Sequence, residues 1–339
     1  MKYFKILTIY FFVVLIIFII IEFIFRLTGE KPFNPAVTIE KITPSNPISN
    51  DSLIGYSLLP GKYTLHYQNG YSFTTTHNKF GERMISNTKK FESLPKIAIY
   101  GDSNFYGFGL QDNQTWAYLF QQKNKSIQVI NHAVFGHSLY LNYLKFKNKI
   151  QSGESPIAAV FLIASYDFGR QTMNAQSRKY FVVNQKVANV YKYPCLEIKE
   201  GKLVKKLQPL HSTFINELSR YSSFSNFVET RVNTILDNRI DYKTISNAVL
   251  DSIITISRKN KIEPVFALMY DDQPTREIKQ KLDKLKCKNV FINYDLSDKK
   301  YSLLPYDNHP NAYTNTLYCK KIDSLVQPII QKNARTKNL

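Results

Sequence analysis

From residue 96 onward the chain alternates between two hydrophobic periods, and this alternation limits its fold more than any other feature. Short apolar or β-branched runs fall at 96–100, 127–131, 157–163, 263–268 and 289–293. Between them lie helical segments at about 114–123, 138–150, 243–259, 274–285 and 311–326. In 243–259, Ile245, Val249, Ile253 and Ile256 recur at the spacing of one buried helix face. A strand that is followed by a helix and then another strand returns to the same sheet only by a crossover, so neighbouring strands run parallel. The expected class is α/β, a three-layer α/β/α parallel sheet whose strand ends open into a ligand-binding crevice.

Two motifs stand where such a fold presents chemistry. The run Pro95-Lys96-Ile97-Ala98-Ile99-Tyr100 ends in Gly101-Asp102-Ser103-Asn104-Phe105-Tyr106-Gly107, and the chain later reads Asp307-Asn308-His309-Pro310-Asn311. A serine at a strand tip is exposed to the crevice. Its hydroxyl is a weak nucleophile until an imidazole accepts its proton, and the imidazole needs a carboxylate to fix its tautomer. Ser103, His309 and Asp307 supply these three groups. Each motif alone also suits an ordinary turn or helix start, with Gly101 and Asp102 as turn residues and Pro310 at a first helical position. Their conjunction, each beside the expected strand or helix, favours the chemical reading.

At these residues the chain resembles the SGNH (GDSL-type) hydrolase superfamily. Gly101, Asp102 and Ser103 match its first block, Gly107-Phe108-Gly109 fits a Gly-x-Gly found in many members, and Asp307 with His309 matches the last block. Gly136, in Ile127-Gln-Val-Ile-Asn-His-Ala-Val-Phe-Gly136-His-Ser, matches the second block. The third block departs: where the family carries Gly-x-Asn-Asp, this chain has Ala164-Ser165-Tyr166-Asp167. The resemblance implies a flavodoxin-like sheet and a serine esterase or O-acyl (acetyl) transferase without cofactor or metal. In that reading Ser103 is the nucleophile and the backbone amides of Ser103 and Gly136 form the oxyanion hole. The hydroxyl of Tyr166 or Ser165 replaces the missing asparagine, or the amides act alone. The alternative is an SGNH-fold glycan-binding or scaffold protein that has lost its chemistry. His132, His137, Asp271 and Asp272 read as loop residues, and Asp102 and Asp167 as carboxylates that tie their loops.

The N-terminus bears on location. Ile6 to Ile21 is sixteen residues without a charge, and with Phe23 to Phe25 the apolar stretch reaches about twenty, ~30 Å as a helix. No small-x-small cleavage site follows, so an uncleaved membrane signal-anchor is expected, with the bulk of the chain exported. The expected organisation is an anchor at 1–30, a proline-rich tether at 31–50, a β appendage at 51–93 around the hairpin signal Asn69-Gly70, and a main domain at 94–331. The main domain carries an insertion at about 168–241. The appendage ends in an Asn-x-x-Gly-x-Arg segment, Asn78 to Arg83, resembling one found in anchored bacterial members of the superfamily. Of the formal charge of +19, all but +1 lies beyond residue 30. An anionic envelope surface and an acylated carbohydrate or lipid are therefore the expected partners, and nucleic acid is not. The three cysteines, Cys195, Cys287 and Cys319, form no metal or disulfide pattern and are expected as buried free thiols.

Overall fold

The computed structural model describes residues 2–34, 39–85, 93–183 and 192–337. Residues 35–38, 86–92 and 184–191, which fall in the expected tether, appendage and insertion, lie outside them. The chain forms two compact units: one comprises 36–174, 186–209 and 241–339, and the other 1–35, 175–185 and 210–240.

The larger unit is built on five parallel strands: β6 (Lys96–Tyr100), β7 (Gln128–Asn131), β8 (Ala158–Ile163), β11 (Glu263–Leu268) and β12 (Lys288–Phe291). Their spatial order is β12-β11-β8-β6-β7. Taken by position in the chain this is the doubly wound 2-1-3-4-5 order, whose direction reverses between the first and third strands, here β6 and β8. The α/β parallel architecture expected from the alternation is thus present. Ile97 to Tyr100 and every residue of β8 are buried, as a sheet covered on both faces requires. The covering helices are α3 (Trp116–Lys123), α4 (Leu139–Gln151), α9 (Tyr242–Lys259), α10 (Gln273–Lys284) and α11 (Ala312–Lys337). In α9, Ile245, Val249 and Ile253 are buried as the spacing anticipates, whereas Ile256 is only half-buried. Helix α11 runs past the expected end at 326 and through Pro328. Val326 and Ile330 on either side of the proline are both buried, and this packing outweighs the lost backbone bond.

Ahead of the sheet, β4 (Gly61–Tyr67) and β5 (Ser72–His77) form the expected hairpin, and β1 (Ile39–Thr43) pairs antiparallel with β4. A second pair joins β2 (Ile48–Asp51) to β3 (Gly55–Leu58). Much of the stretch read as a tether is therefore strand. The proline pattern did not reveal the backbone partners that β3 and β4 offer. The hairpin β9 (Lys192–Lys199) and β10 (Lys202–Pro209) also belongs to this unit.

The smaller unit contains α1 (Lys2–Leu27), α6 (Ala175–Val183), α7 (Phe214–Ser219) and α8 (Ser223–Asp237). Residues Tyr3–Leu27 of α1, which include an 18-residue stretch of mean hydropathy 3.0, are long and apolar enough to cross a membrane. The insertion is thus divided, its helical parts joining α1 and its β9–β10 hairpin joining the sheet unit. Among the described residues all three cysteines are free and buried.

Gly101, between β6 and Ser103, shows how tightly the sheet controls the turn. A Cβ there would lie 2.5 Å from Cβ of Phe105 and 3.1 Å from Cβ of Leu162. Gly101→Ala is expected to destabilise the protein by about 1–3 kcal/mol through overpacking. A thermal melt followed by the fluorescence of Trp116, the single and fully buried tryptophan, would measure it.

Candidate active site

The short helix α2 (Ser103–Tyr106) begins at the carboxyl end of β6, beside the point where the strand order reverses. Asp102 is its N-cap and accepts a hydrogen bond from the Asn104 amide at 2.8 Å. Gly107 closes it in the left-handed conformation, φ 84°. The carbonyls this leaves exposed are taken by Arg83, which is 2% exposed. Its Nη1 donates to the carbonyls of Tyr106 at 2.9 Å and Gly107 at 2.6 Å, Nη2 donates to Leu110, and Nε donates to Asp112 at 3.0 Å. Arg83 ends the Asn-x-x-Gly-x-Arg segment, so that segment's arginine clamps the turn that follows Ser103.

Ser103 and His309, which are 206 positions apart, meet here. Nε2 of His309 lies 2.8 Å from Oγ of Ser103, and Nδ1 lies 2.7 Å from Oδ2 of Asp307. The Asp307 carboxylate also accepts from the His309 backbone N–H at 3.1 Å and from the Tyr67 hydroxyl at 2.6 Å. Burial by itself would raise the Asp307 carboxyl, but the neighbouring imidazole and these hydrogen bonds outweigh it and keep it below the ordinary carboxylate range. Burial likewise works against protonated His309, yet the charge and hydrogen bond of Asp307 leave its pKa raised. The ring of Phe108 packs on His309 with centroids 5.1 Å apart. Ser103 is thus bonded to a base whose other nitrogen is fixed by a carboxylate, the arrangement that serine activation requires.

The main-chain donors lie on two loops. As the first residue of α2, Ser103 has a backbone N–H with no intrahelical carbonyl to bond. Gly136 follows β7 in the left-handed conformation, φ 79°. Its carbonyl accepts from the Tyr193 hydroxyl at 3.1 Å and that of Phe135 from Tyr56 at 2.7 Å, and among the described residues nothing takes the Gly136 N–H.

Tyr166 opens α5 (Tyr166–Thr172) at the carboxyl end of β8. Its hydroxyl proton goes to the Asp102 carboxylate, and its oxygen accepts from Asn104 Nδ2 at 2.7 Å. A single O–H cannot serve two acceptors, so Tyr166 is committed to Asp102 rather than offered to an oxyanion. Arg170, stacked on the Tyr166 ring at 4.3 Å, adds a bond of 3.2 Å to Asp102. The Asp102 carboxylate therefore ties the loop after β8 to the loop after β6. Burial first, then the charge of Asp102, pushes the Asp167 carboxyl well up. Tyr67 and Arg170 carried no motif that singles them out, and the motifs that contain Arg83 and Asn104 did not disclose their partners. For Tyr67 the β alternation signals only an inward side chain.

The remaining titratable candidates do other work. His132 lies between Glu82 at 3.2 Å and Glu154 at 2.8 Å, with ligand atoms close enough to hold a metal. The Lys149 ammonium sits 2.7 Å from Glu82, so a cation already balances the carboxylates and the group reads as an ion-pair cluster. Burial lowers the pKa of His137 to about 3, keeping it neutral. Asp272 caps α10 and Asp271 pairs with Arg276 at 2.7 Å. A cleft of about 640 Å³, lined by Tyr270, Asn293, Tyr294, Leu304 and Asn308 among others, opens beside the loop that carries His309.

His309 is expected to titrate above the ordinary histidine value of about 6.5. In Asp307→Asn the raising influence is gone and burial remains, so its pKa should fall below the wild-type value. Selective ¹⁵N-imidazole NMR would show this, and an unchanged pKa would contradict the assigned geometry.

No protein-family model and no curated protein matches the chain. Among solved structures it is similar to the psychrotrophic esterase EstA from a Pseudoalteromonas species, at 12% identity and TM-score 0.38, covering 70% of this chain and 98% of that one. It is similar to a member of the lipolytic protein G-D-S-L family from Veillonella parvula, at 10% identity and TM-score 0.38, covering 68% and 98%. It is also similar to an α/β-hydrolase enzyme from the metagenome of Lake Arreo, Spain, at 11% identity and TM-score 0.39, covering 71% and 99%.

Proposed function

We propose that this chain is a membrane-anchored serine esterase or O-acyltransferase acting on an ester of an envelope glycan or lipid. The observation that carries the reading is the unbroken hydrogen-bonded line from Ser103 through His309 to Asp307. In this mechanism Ser103 Oγ attacks the ester carbonyl while His309 Nε2 takes its proton. Asp307, held by Tyr67, orients the ring and stabilises the imidazolium. The backbone N–H groups of Ser103 and Gly136 receive the developing oxyanion. His309 then returns the proton to the leaving alcohol, and water or a sugar hydroxyl takes the acyl group from Ser103 by the same steps in reverse. A side-chain oxyanion donor is worth about 3–4 kcal/mol of barrier, so a site relying on the two amides is expected to turn over slowly unless the substrate supplies further contacts.

The apolar α1 supports anchoring, and the basic remainder supports work beside an anionic envelope surface, with the bulk of the chain exported. The Tyr270 and Tyr294 rings beside Asn293 and Asn308 offer the mix of apolar faces and amides that a glycan substrate uses.

The full chain in detergent is expected to hydrolyse p-nitrophenyl acetate and to be labelled by a fluorophosphonate. Ser103→Ala should abolish labelling and lower kcat by about 10⁴-fold or more, to the residual level left when a triad member is removed. Labelling that persists in Ser103→Ala, or none in the wild type, would overturn the assignment. Because His309 acts as a base only when neutral, kcat/KM should rise with pH through its raised pKa, giving an ascending limb above about pH 6.5. Mass spectrometry of surface-glycan acylation with and without the protein separates removal of acyl groups from their addition.

A further inference from the structure

Helix α8 is amphipathic the wrong way round for water. Its buried positions Ser225, Glu229, Asn233 and Asp237 form a polar stripe at a spacing of four. Every one of them is engaged inside the smaller unit. Glu229 meets the Lys179 ammonium at 2.8 Å and accepts from Asn216, and Asn233 donates to Gln176 at 3.3 Å. Asp237 accepts from the Ala175 and Gln176 amides at 2.8 and 3.1 Å, and Ser225 donates its amide to Ser222 at 3.0 Å. The outward face carries Val228, Val232, Ile235 and Leu236, all more than two-fifths exposed, and Phe214 and Ile215 of α7 extend it at 80% and 57%. Polar groups inward and aliphatic groups outward is the arrangement of a helix whose surroundings are hydrocarbon.

The placement of α8 against α1 says which hydrocarbon. The Glu22 carboxylate caps the α8 N-terminus, accepting from the Ser222 hydroxyl at 2.7 Å and the Ser223 and Phe224 amides at 2.9 and 3.1 Å. Phe224 packs on Phe18 and Phe25 with centroids 6.1 and 5.3 Å apart. Phe18 lies nine residues before Leu27, ~14 Å along a helix, and the hydrocarbon core of a bilayer is ~30 Å thick. A membrane crossed by α1 therefore reaches the start of α8. The exposed Tyr221, next in the chain to the basic Arg220 just before the start of α8, suits a headgroup zone of anionic lipid.

We propose that α7 and α8 are a second membrane-embedded element, their apolar face lying in the lipid of the leaflet at the C-terminal end of α1. The proposal rests on α1 crossing the membrane, and the test separates the two. The full chain is reconstituted in phosphatidylethanolamine and phosphatidylglycerol vesicles with and without dibrominated acyl chains. Wild-type emission, from buried Trp116, provides the baseline. In Phe214→Trp and Ile235→Trp, two exposed positions where the substitution leaves the core untouched, the added emission should fall to about half for side chains ~5–10 Å below the headgroup boundary. Val14→Trp, within α1, reports the anchor. If Val14→Trp is quenched while both α7–α8 probes are not, the proposal is overturned and the anchor stands. If Val14→Trp is also unquenched, both fall. Unquenched probes that cross-link into dimers would give the face to a second copy of the chain, which likewise overturns it.

Discussion

A buried guanidinium organises the sheet unit. Arg83 has no solvent to hydrate it, so every donor must find an acceptor, and the carbonyls of Tyr106, Gly107 and Leu110 with the Asp112 carboxylate provide them. Those of Tyr106 and Gly107 stand at the end of a four-residue helix closed by a left-handed glycine, where no following turn of helix bonds them. The clamp therefore exists only when the β4–β5 appendage and the strand leading to Ser103 are folded together. Isolated β-bridges join the Arg83 backbone to His77 at the end of β5 and to Asn131 at the end of β7, the neighbour of β6 in the sheet. What looks in one dimension like a small addition to an α/β domain supports the turn that follows Ser103.

The same economy runs through the network around Asp102. One carboxylate accepts from its own helix at Asn104 and from Tyr166 and Arg170 on the loop after β8. Tyr166 sits where the resembled superfamily carries a substrate-facing asparagine, and here that position reinforces the floor of the site. Asp307 is treated alike: Tyr67, from the appendage, gives its hydroxyl to the carboxylate that orients His309. Both aspartates flanking the Ser103–His309 pair are thus held by tyrosines from outside their own loops.

The five parallel strands were legible almost to the residue because each holds an apolar or β-branched run between turn residues, most completely in β8, which is buried throughout. Ser103, His309 and Asp307 were nameable because short motifs at strand and helix ends carry them. Tyr67 was not, since a tyrosine in an alternating strand looks the same whether it faces water or a carboxylate, and the segment that marked Arg83 did not show what its guanidinium binds. The strands β1 and β2 hid for a related reason: prolines mask a segment whose partners, β4 and β3, supply the pairing from elsewhere in the chain.

By itself the sequence determined the α/β order, the apolar length of α1 and the residue types available for serine chemistry, because hydrophobic period and local turn chemistry act over a few residues. Only the tertiary structure decided what those residues do together. It brought His309 to Ser103 across 206 positions, committed the Tyr166 proton to Asp102, and turned the polar stripe of α8 inward onto α6 and α7. Such outcomes depend on which groups meet after burial, where each desolvated donor needs an acceptor, and a linear order of residues does not contain that information.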